Sequence, residues 1–471
     1  MNKKLTLVTF IAMLGIFLLG TFNVPAIATE SSTNSASTLP PEIKLCGVFP
    51  ISQRPDAGPD RRDAFLMAID DINAQTGSSR ILPAGVNLTG IVKDDLNTAA
   101  GGTAAAQSCV SDGANLVIGS SGSTVSAAMA SVLTPLKIIQ ISYASTSPTL
   151  SNRTAYPYFM RNVPSDADQG MALADLIQAF GFTKGAVIHT SDSYGNGLIS
   201  FFKPDYTNLS SANTIVTDQN FEAGATDVSA QVQAIADANP QFVLVHAIDN
   251  DAKTVFKKAY DLGIAGSGSN ISWVITDGSA STATFAGDKN VKSAMQHVIG
   301  TSPTAFTGAT FKAFNNSWFS VTSCGTVNPC AAARTHSVPN SYAPFAYDSV
   351  FVAAHGFADA GTVTNSTALL NALYKVKFTG AGGDVAFNSL GEVDGHFDYL
   401  TLVGDAYQTF GTWHVTSSFT QSTVTLPNNE VWTLSSNAYG YSGNAGGSTP
   451  GFEFVALLLG VGTLVLIRRR K

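Results

Sequence analysis

Two stretches, Leu116–Ala130 (LVIGSSGSTVSAAMA) and Lys137–Leu150 (KIIQISYASTSPTL), each run from a short apolar segment into a cluster of small hydroxyl residues. The apolar segments are short, continuous and rich in β-branched residues, which is typical of buried strands. Two neighbouring strands that both open into Ser- and Thr-rich loops predict a polar pocket where the strands end.

The same order of apolar strand, polar loop and amphipathic helix recurs along the chain. We predict further strands at IKLCGVF, GAVIHT, QFVLVHA and SWVIT, and helices over 98–111, 168–180, 228–238 and 251–262. A first helix is predicted from Pro59 to Gly77. Apolar runs without alternation, separated by helices, indicate parallel strands buried on both faces. The fold class is therefore α/β, doubly wound, in two lobes, with ligands expected beyond the carboxyl ends of the strands.

Composition excludes some partners. The chain has 471 residues, of which 45% are hydrophobic and 13% charged, and its net charge is -7. Nucleic-acid binding needs clustered Lys and Arg, which this chain lacks outside its last four residues, so no nucleic-acid partner is expected. No CxxC, HExxH or His cluster occurs, and neither a metal nor a cofactor is predicted.

Both ends of the chain resemble targeting segments. Lys3 and Lys4, a long apolar run and Ala26-Ile27-Ala28 predict a signal peptide over 1–28. At the other end, Pro450-Gly451-Phe452, an apolar run and four basic residues resemble the PGF-type sorting tail of archaeal surface proteins. We expect a protein held on the extracytoplasmic face of the membrane, either by a short C-terminal helix or by a lipid that replaces the tail.

Cysteines and glycosylation sequons fit an exported chain. Cys324 and Cys330 bracket a turn-rich loop and predict a local disulfide. Cys46 in a predicted strand and Cys109 at the end of a predicted helix could pair, or could be buried thiols. Six glycosylation sequons are present, at Asn87, Asn152, Asn208, Asn270, Asn315 and Asn365.

The polar loops favour an anionic group. A Ser/Thr-rich loop that enters a helix, as at Ser123, offers hydroxyls together with unpaired backbone N–H groups, and a small carboxylate fits both. Helix capping alone is the alternative. Tyr194 and Asp277 also follow predicted strands. Tyr194 could close over a ligand or pack on the surface, and Asp277 could bind a cation or form an Asx turn before Gly278.

An ordered series of short motifs extends from Ile43 to Trp413: AFLMAIDDINAQTG, KDDLNTAA, SDGANLVIGSSGST, ISYASTSPTL, YFMRNVPSDADQG, SDSYGNGL, AGATDVSAQVQAI, ITDGS and GDVAFNSLGEVDG. In this order and spacing they resemble type I extracytoplasmic solute-binding proteins, the leucine/isoleucine/valine-binding kind that serve ABC importers. The resemblance implies two Rossmann-like lobes that close on a ligand about three crossovers, near Arg161–Pro164, Gly300–Thr304 and Phe387–Gly391.

The targeting segments at the two ends, together with this resemblance, predict a domain plan. It consists of a signal peptide (1–28), a polar leader (29–40), a first lobe (41–162 and 303–387), a second lobe (163–302 and 388–432), a flexible linker (433–450) and a membrane or sorting tail (451–471).

The resemblance assigns ligand-binding roles to Ser121, Ser123, Ala144, Ser145, Thr146, Tyr194 and Asp277. The loop residues before 150 match positions that hold an amino acid's α-carboxylate, and Tyr194 matches a tyrosine of the second lobe. Asp277 matches the acid that pairs with the α-ammonium. Ile248 and Asp249 depart from the family, which has an aromatic residue there. The first loop, FPISQRPDAGPDRR, is also unusual, and Arg54, Arg61 and Arg62 are expected to face solvent unless they reach a longer or acidic ligand.

These observations predict a non-enzymatic binding protein for a small amino acid, with branched-chain amino acids as the class named by the resemblance, that delivers its ligand to an ABC permease. The same fold with an amide, a urea or an organic or aromatic acid is the main alternative. A ligand sensor with a separate membrane partner is another. An α/β enzyme is disfavoured because neither GxSxG nor a Walker loop occurs.

Overall fold

The computed structural model describes residues 39–266, 268–304, 307–320 and 338–415, together with the backbone of four short strands beyond residue 422. The predicted signal peptide, most of the polar leader, and the Cys324–Cys330 pair lie outside the described residues.

Helices and strands alternate along most of the described chain. The helices are α1 (Gly58–Asn73), α2 (Ala99–Ser111), α3 (Ser123–Leu133), α4 (Asp166–Ala179), α5 (Ser193–Leu209), α6 (Ser229–Ala238), α7 (Asp249–Asp261), α8 (Lys289–Met295), α9 (Ala309–Phe319), α10 (Ala343–Ala360) and α11 (Ser366–Leu373). The strands are β1 (Glu42–Phe49), β2 (Asn87–Asp94), β3 (Leu116–Ile118), β4 (Gln140–Ser142), β5 (Phe159–Arg161), β6 (Lys184–Thr190), β7 (Thr214–Phe221), β8 (Phe242–His246), β9 (Ser272–Ile275), β10 (Ile299–Pro303), β11 (Lys377–Thr379), β12 (Asp384–Ala386), β13 (His396–Val403), β14 (Ala406–His414), β15 (Thr423–Thr425), β16 (Val431–Thr433), β17 (Phe452–Leu458) and β18 (Thr463–Arg469).

Two sheets organise the two lobes. The first has the strand order β2-β1-β3-β4-β5 and is wholly parallel. The second has the order β14-β13-β10-β9-β8-β6-β7, in which β13 and β14 are antiparallel and the others are parallel. Apolar clusters cover both faces of each sheet, which explains the continuous apolar runs of the strands.

The chain passes between the two sheets three times. It leaves the first sheet after Arg161 and enters α4, which packs on the second lobe. It returns after Pro303 to α9, whose Phe314 and Trp318 are buried in the first core. It crosses again between β12 and β13. All polar loops that follow β1, β3, β4, β6, β8 and β9 therefore gather at one edge of each sheet.

A disulfide ties the first sheet to its helical layer. Cys46 on β1 and Cys109 on α2 are bonded, with their Cα atoms 5.7 Å apart. The sequence left open whether these two cysteines pair or remain buried thiols, and in the structure they form a disulfide.

Two expectations of local structure are wrong. Helix α1 ends at Asn73, with Ala74 as its C-cap, rather than at Gly77. Gly77 has a positive φ of 58° and begins a separate short 3₁₀ turn, Gly77–Ser79. In the tail, β17 and β18 pair as antiparallel strands where a membrane helix was expected. The intervening Gly460 and Gly462 and the β-branched residues of Thr463–Arg469 disfavour helix. Among the described residues, no helix has the length and apolar character needed to cross a membrane.

Candidate functional site

A cavity of about 250 Å³ lies between the loops of the two lobes, at the carboxyl ends of both sheets. Five of the seven predicted binding residues line it: Ser121, Ser123, Ala144, Tyr194 and Asp277. The first three come from the first lobe and the other two from the second. The structure thus brings together loops that are more than 150 residues apart in sequence.

The first-lobe wall contains the start of α3. The N-cap residue Gly122 has no side chain with which to bond the backbone N–H groups of the first turn. Gly122, Ser123, Thr124 and Val125 all line the cavity. The Ser123 hydroxyl accepts a hydrogen bond from the Ser147 backbone N–H at 3.2 Å, which fixes its position. A helix start that lacks a capping side chain and borders a cavity is suited to a carboxylate.

Ser145 and Thr146 do not line the cavity, contrary to prediction. Both are buried, with 0% and 3% of their surface exposed. The Ser145 hydroxyl donates to the Ser120 carbonyl at 3.1 Å and lies 2.8 Å from the Ser126 hydroxyl, so it braces the two loops from behind. The loop turns at Ser142, whose hydroxyl accepts from the backbone N–H groups of the next residues, including Ser145 at 2.8 Å. This turn directs Ser145 and Thr146 into the protein.

Ala144 lines the cavity, but its backbone N–H is already used. It donates to the Ser142 hydroxyl at 3.2 Å. Ala144 therefore shapes the first-lobe wall and is not a free donor for a ligand.

Tyr194 forms part of the second-lobe wall from the first turn of α5. Asp192 caps that helix by accepting from the Gly195 N–H at 2.9 Å. The Tyr194 ring packs on the buried imidazole of His246, with ring centroids 4.0 Å apart. Gly278 permits this packing, because a Cβ there would lie 2.3 Å from the Tyr194 hydroxyl oxygen. Burial, together with the Asp277 and Asp166 carboxylates, raises the pKa of Tyr194 well above its usual value, so the ring is a neutral phenol.

Two acids of the second lobe have unsatisfied oxygens. Asp277 follows β9, and its Oδ2 accepts from the Tyr342 hydroxyl at 2.5 Å. Its Oδ1, and both carboxylate oxygens of Asp166, are buried without a hydrogen bond of normal geometry among the described residues, although the side chains of Gln169 and Thr146 lie close enough to lower the pKa of Asp277 and of Asp166, respectively. Burial raises the pKa of both acids, and the nearby Asp277 raises that of Asp166 further. Unpaired buried carboxylates are costly, so this wall is suited to a cation.

Asp166 was missed by the sequence analysis. It is the first residue of α4, after the N-cap Ser165, and an acid in the first turn of a helix is usually explained by the helix dipole. It does not itself line the cavity but interacts electrostatically with Asp277. Its two unpaired oxygens are the observation that a sequence cannot supply.

Arg61 lines the cavity and does not face solvent, contrary to expectation. It is 5% exposed, and its guanidinium lies over the rings of Tyr143 and Tyr342, 6.0 and 5.3 Å from their centroids. Its Nε donates to Asn340 at 3.1 Å, and among the described residues no carboxylate forms an ion pair with it. Burial lowers its pKa. Arg61 is thus a buried cation that forms no ion pair within the described part of the chain, although Asp56 acts on it electrostatically.

Arg54 is also turned inward, where it connects the lobes. Its Nη2 lies 2.5 Å from Asp249, at the start of α7, and 3.0 Å from Asp56. The resemblance to solute-binding proteins implies an aromatic residue at the position of Asp249 and marks the Arg54 loop as unusual, and in the structure these two residues form one ion pair. Arg62 differs from both, because it pairs with Asp63 and its side chain remains 29% exposed.

Other contacts between the lobes show that the cleft is closed. The Thr124 hydroxyl donates to Asp192 at 3.2 Å, and the Ser147 hydroxyl donates to the Ser193 carbonyl at 2.7 Å. Together with Arg54–Asp249 and Tyr342–Asp277, these bonds cross the cleft on several sides of the cavity.

A buried ion pair holds the first-lobe loop against the crossovers. Arg161, 1% exposed, pairs with Glu392 of the third crossover and donates to the carbonyls of Ser145 and Ser147 at 3.2 and 2.8 Å. The loop that bounds the cavity is therefore connected directly to the segments about which the lobes would rotate.

No set of three His, Cys, Asp or Glu side chains within the described ranges is arranged to hold a metal ion. The chemistry of the cavity is that of binding. Its lining includes the uncapped start of α3, two guanidinium groups (Arg54 and Arg61) and four carboxylates (Asp192, Asp249, Asp251 and Asp277).

Comparisons with known proteins identify the family. A family model described as the receptor family ligand binding region matches residues 60–405. Among curated proteins, glutamate receptor 3.1 of Oryza sativa subsp. japonica is 24% identical over 383 residues, which is 74% of this chain and 39% of that protein. The chain thus spans well under half the length of that relative.

Two solved structures share the fold. The leucine-binding protein LivK of Thermotoga maritima superposes with a TM-score of 0.66 at 17% identity, over 79% of this chain and 98% of that one. The branched-chain amino acid transporter substrate-binding protein LivJ of Streptococcus pneumoniae, solved with isoleucine, gives 0.64 at 22% identity, over 79% and 99%. The two-lobed α/β fold of type I binding proteins, predicted from the sequence, is confirmed. The chain belongs to the family described as the receptor family ligand binding region, whose members are ligand-binding domains and not enzymes.

Proposed function

We propose that this chain is an extracytoplasmic solute-binding protein that captures an amino acid with an acidic side chain by closure of its two lobes. The observation that carries the proposal is the charge inventory of one cavity. Four charged residues of the lining have partners within the protein: Arg54 pairs with Asp249, Asp192 accepts from the Gly195 N–H, and Asp251 accepts from the Gly224 N–H. Of the groups that remain, the uncapped start of α3 and Arg61 attract an anion, and Asp277 attracts a cation. An amino acid with a side-chain carboxylate carries two anions and one cation.

Each pole of such a ligand has a partner. The α-carboxylate is held at Ser121 and Ser123, where first-turn N–H groups and hydroxyls meet. The α-ammonium pairs with Asp277, and Asp166 adds negative charge nearby. The side-chain carboxylate pairs with Arg61, which relieves the cost of burying an unpaired guanidinium. Tyr342 links the residues that hold the two ends of the ligand, because its hydroxyl donates a hydrogen bond to Asp277 and its ring lies under Arg61.

The ligand's poles are divided between the lobes, so only the closed form satisfies all of them. Binding therefore shifts the equilibrium toward closure by the free energy of the contacts that exist in the closed form alone. The rice relative is named as a glutamate receptor, in agreement with an acidic ligand.

A branched-chain amino acid is the second candidate. Val125, Ile248 and Ala223 give the cavity apolar lining, and the two solved neighbours are named for leucine and for branched-chain amino acids. An apolar side chain would leave Arg61 without an anion. The amide, urea and organic-acid alternatives would leave the buried Asp277 oxygen without a cation.

The cellular role is part of the proposal. The predicted signal peptide supports export, and the predicted PGF-type sorting tail supports retention at the extracytoplasmic face by a lipid that replaces the tail. The resemblance to importer-associated binding proteins supports delivery to an ABC permease. A sensor with a separate membrane partner would use the same closure.

Calorimetric titration of the purified chain tests the ligand class. L-Glutamate and L-aspartate are compared with L-glutamine, L-leucine, L-isoleucine and glutarate. We expect one of the acidic amino acids to bind at least tenfold more tightly than L-glutamine and L-leucine, and glutarate to bind weakly, since each missing pole leaves a buried group unpaired at about 1–3 kcal/mol. Tighter binding of L-leucine or L-isoleucine would support the second candidate, and tightest binding of glutarate would refute an amino-acid ligand.

A further inference from the structure

A second cavity, also of about 250 Å³, lies at the three crossovers and shares no lining residue with the cleft cavity. The first crossover contributes Pro164, the second Thr304 and the third Asp394. We call it the hinge cavity. Because its walls belong to all three connections between the lobes, its shape depends on the angle between them.

Glycines keep the hinge cavity open. Gly382 and Gly383 line it, and a Cβ on Gly383 would meet no other atom within 4 Å. A Cβ on Gly382 would lie 2.8 Å from the ring of Phe345, which also lines the cavity, so only glycine fits there without a shift of that ring. The loop is fixed by Asp348, whose buried carboxylate accepts from the N–H groups of Ala381 and Gly382 at 2.8 and 2.6 Å. One wall of the cavity is therefore a loop whose backbone is held by hydrogen bonds to a buried carboxylate.

The lining of the hinge cavity is acidic. Asp384 and Asp394 lie at its open side and Asp348 at its base, and neither lysine nor arginine is among its lining residues. Its one histidine, His396, packs against His414 with ring centroids 3.7 Å apart, and burial and that neighbour lower the pKa of His396 despite the nearby Asp384 and Asp394, which favours the neutral ring. Phe345, Pro164 and Pro303 supply apolar surface. Carboxylates beside an aromatic face suit an organic cation.

The hinge cavity is connected to the cleft through the start of α10. Tyr342, which bonds Asp277 in the cleft, packs on Phe345 of the hinge cavity with ring centroids 5.8 Å apart. We propose that the hinge cavity binds a small primary amine with a compact apolar group, and that its occupancy changes the closure equilibrium of the cleft. By reciprocity of linked binding, a cleft ligand then changes the affinity for the amine by the same factor.

Fluorine NMR with 4-fluorobenzylamine and the full chain tests the site. We expect saturable binding that weakens at least tenfold in the double variant Asp384→Asn/Asp394→Asn and is unchanged in Asp261→Asn, a control at an exposed acid of α7. Binding is also expected to survive Asp277→Ala, which removes the cleft carboxylate. Absence of saturable binding, equal binding by the double variant, or loss of binding in Asp277→Ala would each overturn the proposal.

A second readout tests the coupling and rests on the proposed function. Saturating 4-fluorobenzylamine is expected to change the affinity for L-glutamate at least threefold in the wild type and not in the double variant. An unchanged affinity would overturn the coupling. If L-glutamate fails to bind at all, the proposed ligand class fails, while the fluorine experiment still decides the hinge site.

Discussion

The two walls of the cleft carry unsatisfied charges of opposite sign. The first-lobe wall presents the uncapped start of α3 and the guanidinium of Arg61, both of which attract anions. The second-lobe wall presents Asp277, with Asp166 close to it, and attracts a cation. Neither wall alone can bind both poles of a zwitterion. Specificity therefore arises when the lobes meet.

The comparison also separates contacts that bind a ligand from contacts that close the cleft. Arg54–Asp249 and Thr124–Asp192 satisfy charged groups of the two lobes with each other. Arg61 and Asp277 Oδ1 remain available to a ligand. Substitutions at the two kinds of residue should consequently have effects of different size.

The largest effect is expected at the second-lobe wall. Asp277→Ala removes the carboxylate that pairs with the α-ammonium, and loss of a buried charge partner costs about 2–5 kcal/mol, so affinity should fall at least thirtyfold. Calorimetry on the variant measures it, with Asp261→Ala as the matched control. Binding within threefold of wild type would show that the ammonium lies elsewhere.

At the first-lobe wall, Arg61→Gln should act on side-chain recognition alone. We expect a loss of about tenfold to a hundredfold for L-glutamate, since its distal carboxylate loses a charged donor, and little change for L-glutamine. The affinity ratio of the two ligands, measured by competition, reports this effect. An equal loss for both ligands would place Arg61 at the α-carboxylate or in folding.

The pH dependence distinguishes the walls further. Burial raises the pKa of Asp277 and Asp166 in the free protein, and an ammonium ligand requires the ionised form of its partner. Affinity for L-glutamate should therefore be greatest at the high-pH end of a titration. It should fall, by at most about tenfold per pH unit, as the pH decreases through the raised pKa values. Titrations from pH 8 to pH 5 test this, and Asp166→Asn should flatten the profile. Affinity that increases toward pH 5 would contradict the assignment.

The smallest effect is expected for the contact between the lobes. A double-mutant cycle of Arg54→Ala and Asp249→Ala should give a coupling energy of about 1 kcal/mol in ligand binding, equivalent to about fivefold, because the pair forms only when the cleft closes. The two single variants and the double variant are compared by calorimetry. Additive effects of the two substitutions would show that the ion pair does not contribute to closure.

Much of the fold and part of the site could be predicted from the sequence because local rules apply to them. Apolar strands without alternation indicated buried parallel sheets, and the carboxyl-end rule, with the family resemblance, located Ser121, Ser123, Tyr194 and Asp277. The same rule also applies to the loop after β1 and to the first turn of α1, which contain Arg54 and Arg61, respectively. These arginines were nevertheless expected to face solvent, since a charged side chain is usually exposed and its burial depends on Tyr143, Tyr342 and Asn340 from distant segments.

The remaining errors concern direction and pairing. Ser145 and Thr146 lie in the correct loop, but the turn at Ser142 points them into the protein, and spacing along a loop does not specify side-chain direction. Tyr342 and Asp166 join the site only through tertiary structure. Their roles depend on one hydrogen bond and on two carboxylate oxygens without a partner, which no sequence pattern records.

A crystal structure with the tightest-binding amino acid tests most directly whether each wall holds the pole assigned to it. We predict the α-carboxylate within about 3.2 Å of the first-turn N–H groups of α3, and the α-ammonium within the same distance of Asp277. A ligand bound in the reverse orientation, with its ammonium beside Ser123 and a carboxylate beside a protonated Asp277, would contradict this account.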